Sequence, residues 1–231
     1  SGTFSIHWNW QASAEESVEG IAIDATNFPD EIFRTYVQEK FDTTADGILS
    51  ESELKQATEI NVSYKGISDL TGVEYFTALQ ALNCGANSLT TLDVRQNTAL
   101  QTLWCSGNNL TVLDVRQNPK LNTLYCFNNN LTALDLSQNT ALTNLECDSN
   151  TYSIALTGGT FDLSTLPEGF DLSKASNWKN ATVDGNTLTV TNPKADVTYT
   201  YDLGNEKTET FTLQPTSCIL TESMVKEIPE Q

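Results

Sequence analysis

The chain has 231 residues, of which 12 are basic and 30 acidic, for a formal net charge of −18 at pH 7. So acidic a surface excludes an electrostatic nucleic-acid binder, whose footprint is basic. The hydrophobic share of 39%, about 44% with the 12 glycines counted, sits close to the roughly 45–50% of ordinary globular chains and excludes a disordered acidic tail; no apolar stretch approaches the ~20 residues of a membrane-spanning helix, so no membrane insertion is expected.

Residues 1–20 read as an N-terminal extension. They begin Ser1-Gly2-Thr3 with neither an initiator Met nor an apolar signal core, as expected where a targeting segment has been removed. The only histidine, His7, lies here beside Trp8 and Trp10 with no evident regular structure.

Residues 21–56 read as a helical, EF-hand-like cap. From Asn27 to Phe41, Pro29 and the acids Asp30 and Glu31 form a first turn, and Ile32, Phe33, Tyr36, Val37 and Phe41 recur at helical spacing. The segment after this amphipathic helix follows the EF-hand calcium loop: Asp42 at position 1, Thr44 at 3, Asp46 at 5, Gly47 at 6, the Ile48 carbonyl at 7, Ser50 at 9 and Glu53 at 12. Thr44 stands where the pattern has Asp or Asn, which removes a carboxylate and weakens affinity. Two readings stay open. Either the loop holds calcium, and chelation lowers the melting temperature, or it is a turn between two short helices with solvated carboxylates. Capping is the expected job in both, and calcium is not required for it.

Residues 57–157 read as a repeat solenoid of about five coils. Cys84, Cys105, Cys126 and Cys147 are each 21 residues apart, and a fixed frame recurs around them: Leu79, Leu82, Cys84, Asn87, Leu89, Leu92, then Leu100, Leu103, Cys105, Asn108, Leu110, Leu113, then Leu121, Leu124, Cys126, Asn129, Leu131, Leu134. A fourth copy starts with Leu142, Leu145, Cys147 and Asn150 and decays, with Tyr152 in the leucine slot; upstream, Ile60, Val62, Ile67 and Leu70 fit at an offset of 22. This is the leucine-rich-repeat signature with Cys for its third aliphatic residue. Alternate residues of a short strand point inward, and the Asn side chain satisfies backbone groups that the following turn leaves unpaired. Twenty-one residues leave too little chain for a convex helix, so extended or 3₁₀ segments are expected there. Leu103→Ala is expected to cost roughly 2–5 kcal/mol. The ladder thiols read as buried and inert rather than as disulfides, whose successive pairs would compete, or as metal ligands, which lack partners at ligand spacing. Cys218 lies outside the ladder and is either free or paired between molecules.

The cysteine ladder, with its turns Leu92-Asp93-Val94, Leu113-Asp114-Val115 and Leu134-Asp135-Leu136, resembles the cysteine-ladder branch of internalin-like bacterial surface proteins over residues 57–150. The flanking stretches resemble the caps of secreted leucine-rich-repeat proteins from gut bacteria. The resemblance implies an extracellular or wall-attached protein that binds a host or partner protein, although no wall-sorting motif is present.

Residues 158–214 read as a small all-β cap, of the immunoglobulin-like kind. After the Gly158-Gly159 turn, alternating segments follow from Trp178, with turns at Asp184-Gly185 and Gly204-Asn205, and Tyr199, Tyr201 and Phe211 are core candidates. Residues 215–231, carrying Glu222, Lys226, Glu227 and Glu230, read as a tail or linker.

The expected fold class is therefore an α/β repeat solenoid: a short right-handed leucine-rich-repeat coil between a helical EF-hand-like cap and a small all-β cap. Catalysis is not expected. A Cys–His mechanism needs a thiolate beside an imidazole, whereas His7 lies outside the repeat and four of the five cysteines are read as buried. Residues between the inward Leu and Cys face the concave surface, giving the columns Asn83, Trp104, Tyr125, Glu146 and Gly85, Ser106, Phe127, Asp148. Exposed aromatics of this kind are typical of binding hot spots; the alternative is that they pack against one another or against the cap. Residues 79–147 hold four acids and three bases, so the acidity is concentrated outside the coils. The expected function is recognition of a partner protein through Asn83, Trp104, Tyr125, Phe127, Glu146 and Asp148. The alternatives are carbohydrate stacked on the same aromatics, with Asn83, Asn144 and Thr123 bonding hydroxyls, or a structural spacer.

Overall fold

A computed structural model describes residues 20–216. His7, Trp8, Trp10, Cys218 and the four charged tail residues lie outside the described residues. In the N-terminal cap, β1 (Gly20–Ala22) pairs antiparallel with β2 (Ile48–Ser50), and α1 (Glu31–Phe41) lies between them. The helix starts later than its spacing predicts, because Asp30 is the N-cap and not a first-turn acid: its carboxylate accepts the N–H groups of Ile32 and Phe33, each at 3.0 Å. The other carboxylate oxygen accepts Ser68 N–H at 3.0 Å, tying the helix to the first coil. Burial raises the Asp30 pKa, and these N–H groups outweigh it, leaving the carboxyl below its ordinary value. Phe33, Val37 and Phe41 face the core, whereas Ile32 is 45% exposed, so the apolar face is narrower than the sequence indicated. α2 (Glu51–Gln56) closes the cap.

The coils follow. β3 (Glu59–Asn61), β4 (Ala81–Asn83), β5 (Thr102–Trp104), β6 (Thr123–Tyr125) and β7 (Asn144–Glu146) form one five-stranded parallel sheet, with Ile60, Leu82, Leu103, Leu124 and Leu145 side by side. The four ladder cysteines lie inside, next to these aliphatics. The return segments are extended chain and turns, with one short 3₁₀ turn at Val73–Tyr75.

Asparagines join the coils. Asn108 Nδ2 donates to the carbonyls of Cys84 (3.1 Å) and Cys105 (3.0 Å), and its Oδ1 accepts Leu89 N–H (3.0 Å). Asn129 repeats this one coil on with Cys105, Cys126 and Leu110, and Asn150 with Cys126, Cys147 and Leu131. Asn87 makes the same bridge to Val62 and Cys84. A second ladder, unnoticed in the sequence, consists of Asn97, Asn118 and Asn139. Each is buried, and each Nδ2 donates at 2.9 Å to two carbonyls of the preceding coil, Val94 and Asn97 in the case of Asn118.

The loop after each strand needs a left-handed residue: Tyr64, Ala86, Gly107, Asn128 and Ser149 have φ of 57°, 53°, 66°, 52° and 57°. Only Gly107 adopts it without steric cost.

The C-terminal cap has two sheets. The first, in the order β10-β13-β14-β8, contains β8 (Thr151–Ala155), β10 (Ala175–Lys179), β13 (Val197–Gly204) and β14 (Lys207–Thr216). The second, in the order β11-β12-β9, contains β9 (Thr160–Asp162), β11 (Ala181–Asp184) and β12 (Thr187–Val190). Tyr199, Tyr201 and Phe211 are buried between elements of this cap. The solenoid ends earlier than residue 157: β8 pairs parallel with β14, placing Tyr152 opposite Leu213 rather than in a fifth leucine slot. β14 likewise runs to Thr216, past the expected boundary at 214.

The cap docks on the end of the solenoid. Tyr199 Oη donates to Thr132 O (2.6 Å), Leu136 N–H to Leu203 O (2.8 Å), and Asn205 Nδ2 to Leu136 O (2.5 Å). Gly204, at φ 83°, lies so close that a Cβ there would meet the Ser137 backbone at 3.2 Å. The two preceding copies have arginine at this position, and Arg95 and Arg116 fold back onto Asp93 and Asp114 at 2.6 and 2.9 Å. Ser137 is the small residue that admits the hairpin. Ser137→Arg is expected to cost about 2 kcal/mol by overpacking, seen as a lower urea midpoint and faster proteolysis within the cap.

Candidate functional site on the concave face

Period-two alternation on strands pinned by inward Leu and Cys sends the intervening residues to the concave side. Asn83, Trp104, Tyr125 and Glu146 are neighbours in the register of β4 to β7. Trp104 is 40% exposed, and its ring lies 5.9 Å from that of Tyr125 at an interplanar angle of 7°. The two rings thus contact each other and still present surface to solvent. Phe127 is half-buried in the next column, Glu146 and Asp148 are exposed, and Asn83 is half-buried with its Oδ1 accepting Gly85 N–H at 3.2 Å. The polar neighbours are partly committed to one another: Thr123 Oγ1 donates to Asn122 Oδ1 at 2.9 Å and accepts from Asn144 Nδ2 at 3.3 Å.

Sequence reasoning missed Tyr64, which is 85% exposed in the left-handed position that Ala86, Gly107, Asn128 and Ser149 occupy in later coils. Extending the frame by 22 residues into the first coil marks that slot.

The ladder thiols are free and buried. Burial pushes Cys84 up to about 12, burial and then the neighbouring thiols raise Cys105, and a hydrogen bond with Cys147, followed by burial, raises Cys126. A thiol held neutral is a poor nucleophile.

In the N-terminal cap, Asp42, Thr44, Asp46, Ile48, Ser50 and Glu53 lie along one loop, whose carboxylates bond the loop itself. Asp42 accepts Gly47 N–H at 2.9 Å and Asp46 accepts Ile48 N–H at 2.9 Å. Glu53 is 6% exposed; one oxygen accepts Thr43 N–H (2.7 Å) and Oγ–H (2.8 Å), the other Ser50 N–H (2.9 Å) and Oγ–H (2.8 Å). Ser50 Oγ accepts Glu53 N–H in return, completing a capping box at the start of α2. The oxygens that would hold calcium bidentately are therefore taken by donors from Thr43, Thr44 and Ser50, and among the described residues no three His, Cys, Asp or Glu side chains gather as a metal set. The loop in this conformation does not fit the ion. Chelation with EDTA is expected to leave the melting temperature unchanged.

Burial raises the Glu53 pKa, but the Ser50 and Thr43 donors outweigh it and hold it at about 2, against an ordinary 4.5. Because the folded value lies below the unfolded one, the stabilisation is complete above about pH 4.5 and is lost as pH falls towards 2. Glu53→Gln is expected to cost about 2 kcal/mol at pH 7 and to flatten the loss of stability between pH 4.5 and 2, measured by urea denaturation across that range.

Parallel strands in one register, inward leucines, and Cys and Asn ladders at 21-residue intervals define a leucine-rich-repeat solenoid with a cysteine ladder. No protein-family profile matches the chain. Over 70 residues the chain is 44% identical to Internalin J of Listeria monocytogenes serotype 4b (strain F2365), a stretch that makes up 30% of this chain and 8% of that protein. The functional domain of InlJ from Listeria monocytogenes, whose structure includes a cysteine ladder, is similar with a TM-score of 0.53 and 39% identity, over 60% of this chain and 31% of that one. The chain thus spans less than a third of either relative's length. It is an internalin-like leucine-rich-repeat protein. No helix among the described residues is long and apolar enough to cross a membrane.

Proposed function

We propose that the chain is a non-catalytic recognition module of a secreted or cell-surface bacterial protein, and that it binds a partner protein, from the host, through the concave face of the coil sheet. The observation that carries this reading is the Trp104–Tyr125 pair, parallel at 5.9 Å with Trp104 40% exposed. Large aromatics held by packing on one side and open on the other supply contact area at low entropic cost. The likeness to internalins supports a protein ligand. The commitment of Thr123 and Asn144 to each other weighs against a carbohydrate site built from their polar groups.

The test is capture from host mucosal extract by the wild-type chain and by a Trp104→Ala/Tyr125→Ala/Phe127→Ala variant shown by melting to be folded. The expected result is a protein retained by the wild type alone and undisturbed by soluble glycan. Release by glycan would replace the protein ligand with a carbohydrate, and equal capture by both chains would leave the coils as a spacer.

A further inference from the structure

Every internal strand of the coil sheet is bonded on both edges. The N–H groups of Cys84, Cys105 and Cys126 donate to the carbonyls of Trp104, Tyr125 and Glu146, each at 2.8 Å, and those of Ala86, Gly107 and Asn128 to Ser106, Phe127 and Asp148 at 2.8, 3.0 and 3.2 Å. At the start of the sheet the N-terminal cap supplies a substitute partner, since Asn61 N–H donates to Tyr36 Oη at 3.1 Å. The far end differs. β7 pairs with β6 only, and the chain then leaves as β8 to join β14, so among the described residues no sixth strand meets Cys147 and Ser149. Leu145 is half-buried, whereas its register partners Leu82, Leu103 and Leu124 are at most 1% exposed. Asn144, Glu146, Asp148 and Ser149 are all exposed around that edge.

We infer that the outer edge of β7 takes an extended strand of the partner protein, added parallel as the next rung of the sheet. This rests on the concave-face reading above, because the added strand continues the surface that carries Tyr125 and Phe127. Unpaired N–H and C=O groups along a strand edge are a template for another extended backbone. Alternation then sets its side chains: those beside Leu145 and Cys147 point inward and are apolar, and those beside Glu146 and Asp148 point onto the concave face and are basic. A second copy of this chain is the poorer occupant, since its net charge of −18 and its own edge carboxylates oppose the pairing.

The probe is an eight-residue peptide alternating lysine with leucine or valine, compared with a peptide of the same composition in which the lysines are grouped. With the full chain at 150 mM salt, the alternating peptide is expected to bind at least fivefold more tightly and to slow amide exchange at Leu145, Cys147 and Ser149. Glu146→Lys is expected to weaken that binding about tenfold, while Asp196→Lys, the same charge change at an exposed position on the C-terminal cap, stays within twofold. Equal binding of the two peptides, protection at other amides, or amides at 145–149 already protected in the free chain would each overturn the inference. Repeating the exchange on the triple aromatic variant separates the two readings. Retained protection with lost partner capture leaves the edge site standing without relying on the aromatics.

Discussion

Asn129→Ala is expected to lower stability by about 2 kcal/mol, a drop of roughly 4–8 °C in melting temperature for a chain of this size. The substitution leaves the Leu110 N–H without its partner in a dry interior, at a cost of about 1–3 kcal/mol, and takes one of two amide donors from the Cys105 and Cys126 carbonyls, which keep Asn108 and Asn150. The loss falls at the junction of two coils. Because each coil is held by its neighbours, no other element can offset it. Asn109→Ala, an exposed change one residue from the equivalent asparagine of the preceding coil, is expected to stay within about 0.5 kcal/mol. Urea denaturation checks both: the midpoint should fall for Asn129→Ala at an unchanged slope. A cost below about 1 kcal/mol would show that the turns hold without the asparagine bridge.

Leu103→Ala is expected to cost about 2–5 kcal/mol. Leu103 is fully buried on the central strand, with Leu82 and Leu124 beside it in register. Both neighbours are held in register by the parallel ladder and have little freedom to collapse into the space left behind. Leu145→Ala is the control, because the same side chain in the same register is half-buried at the sheet edge, and it is expected to cost about half as much. Equal losses at the two positions would mean that the end of the sheet is as well covered as its middle.

The coils were legible because each inward position is stated several times: Leu82, Leu103 and Leu124 with Cys84, Cys105 and Cys126 leave no freedom of register. The concave column followed from that register alone, including Trp104 beside Tyr125. The second asparagine ladder was equally periodic, as Gln96-Asn97, Gln117-Asn118 and Gln138-Asn139, but a polar pair in a turn is ordinarily solvated, and only packing shows that Asn97, Asn118 and Asn139 are buried. Ser50 and Glu53 illustrate a different limit. Their spacing satisfies both a calcium loop and a capping box, and only the folded geometry shows Glu53 turned onto the donors of Thr43, Thr44 and Ser50. Tyr152 fitted a leucine slot by counting, yet its strand is claimed by β14, some sixty residues away, a non-local pairing that no local spacing encodes.

The docking of the C-terminal cap uses the end of the solenoid, with its close approach at the one turn that carries Ser137 in place of arginine. The N-terminal cap likewise touches the first coil, through Asp30 and Tyr36. Coils between these two see nothing but copies of themselves, so a duplicated 21-residue unit inserted ahead of the Ser137 turn would find the same hydrogen-bond partners on both sides. Coil number is thus a free variable of this architecture. The concave face can lengthen by about 4.8 Å per duplication while both caps stay docked, and reach is inherited separately from stability.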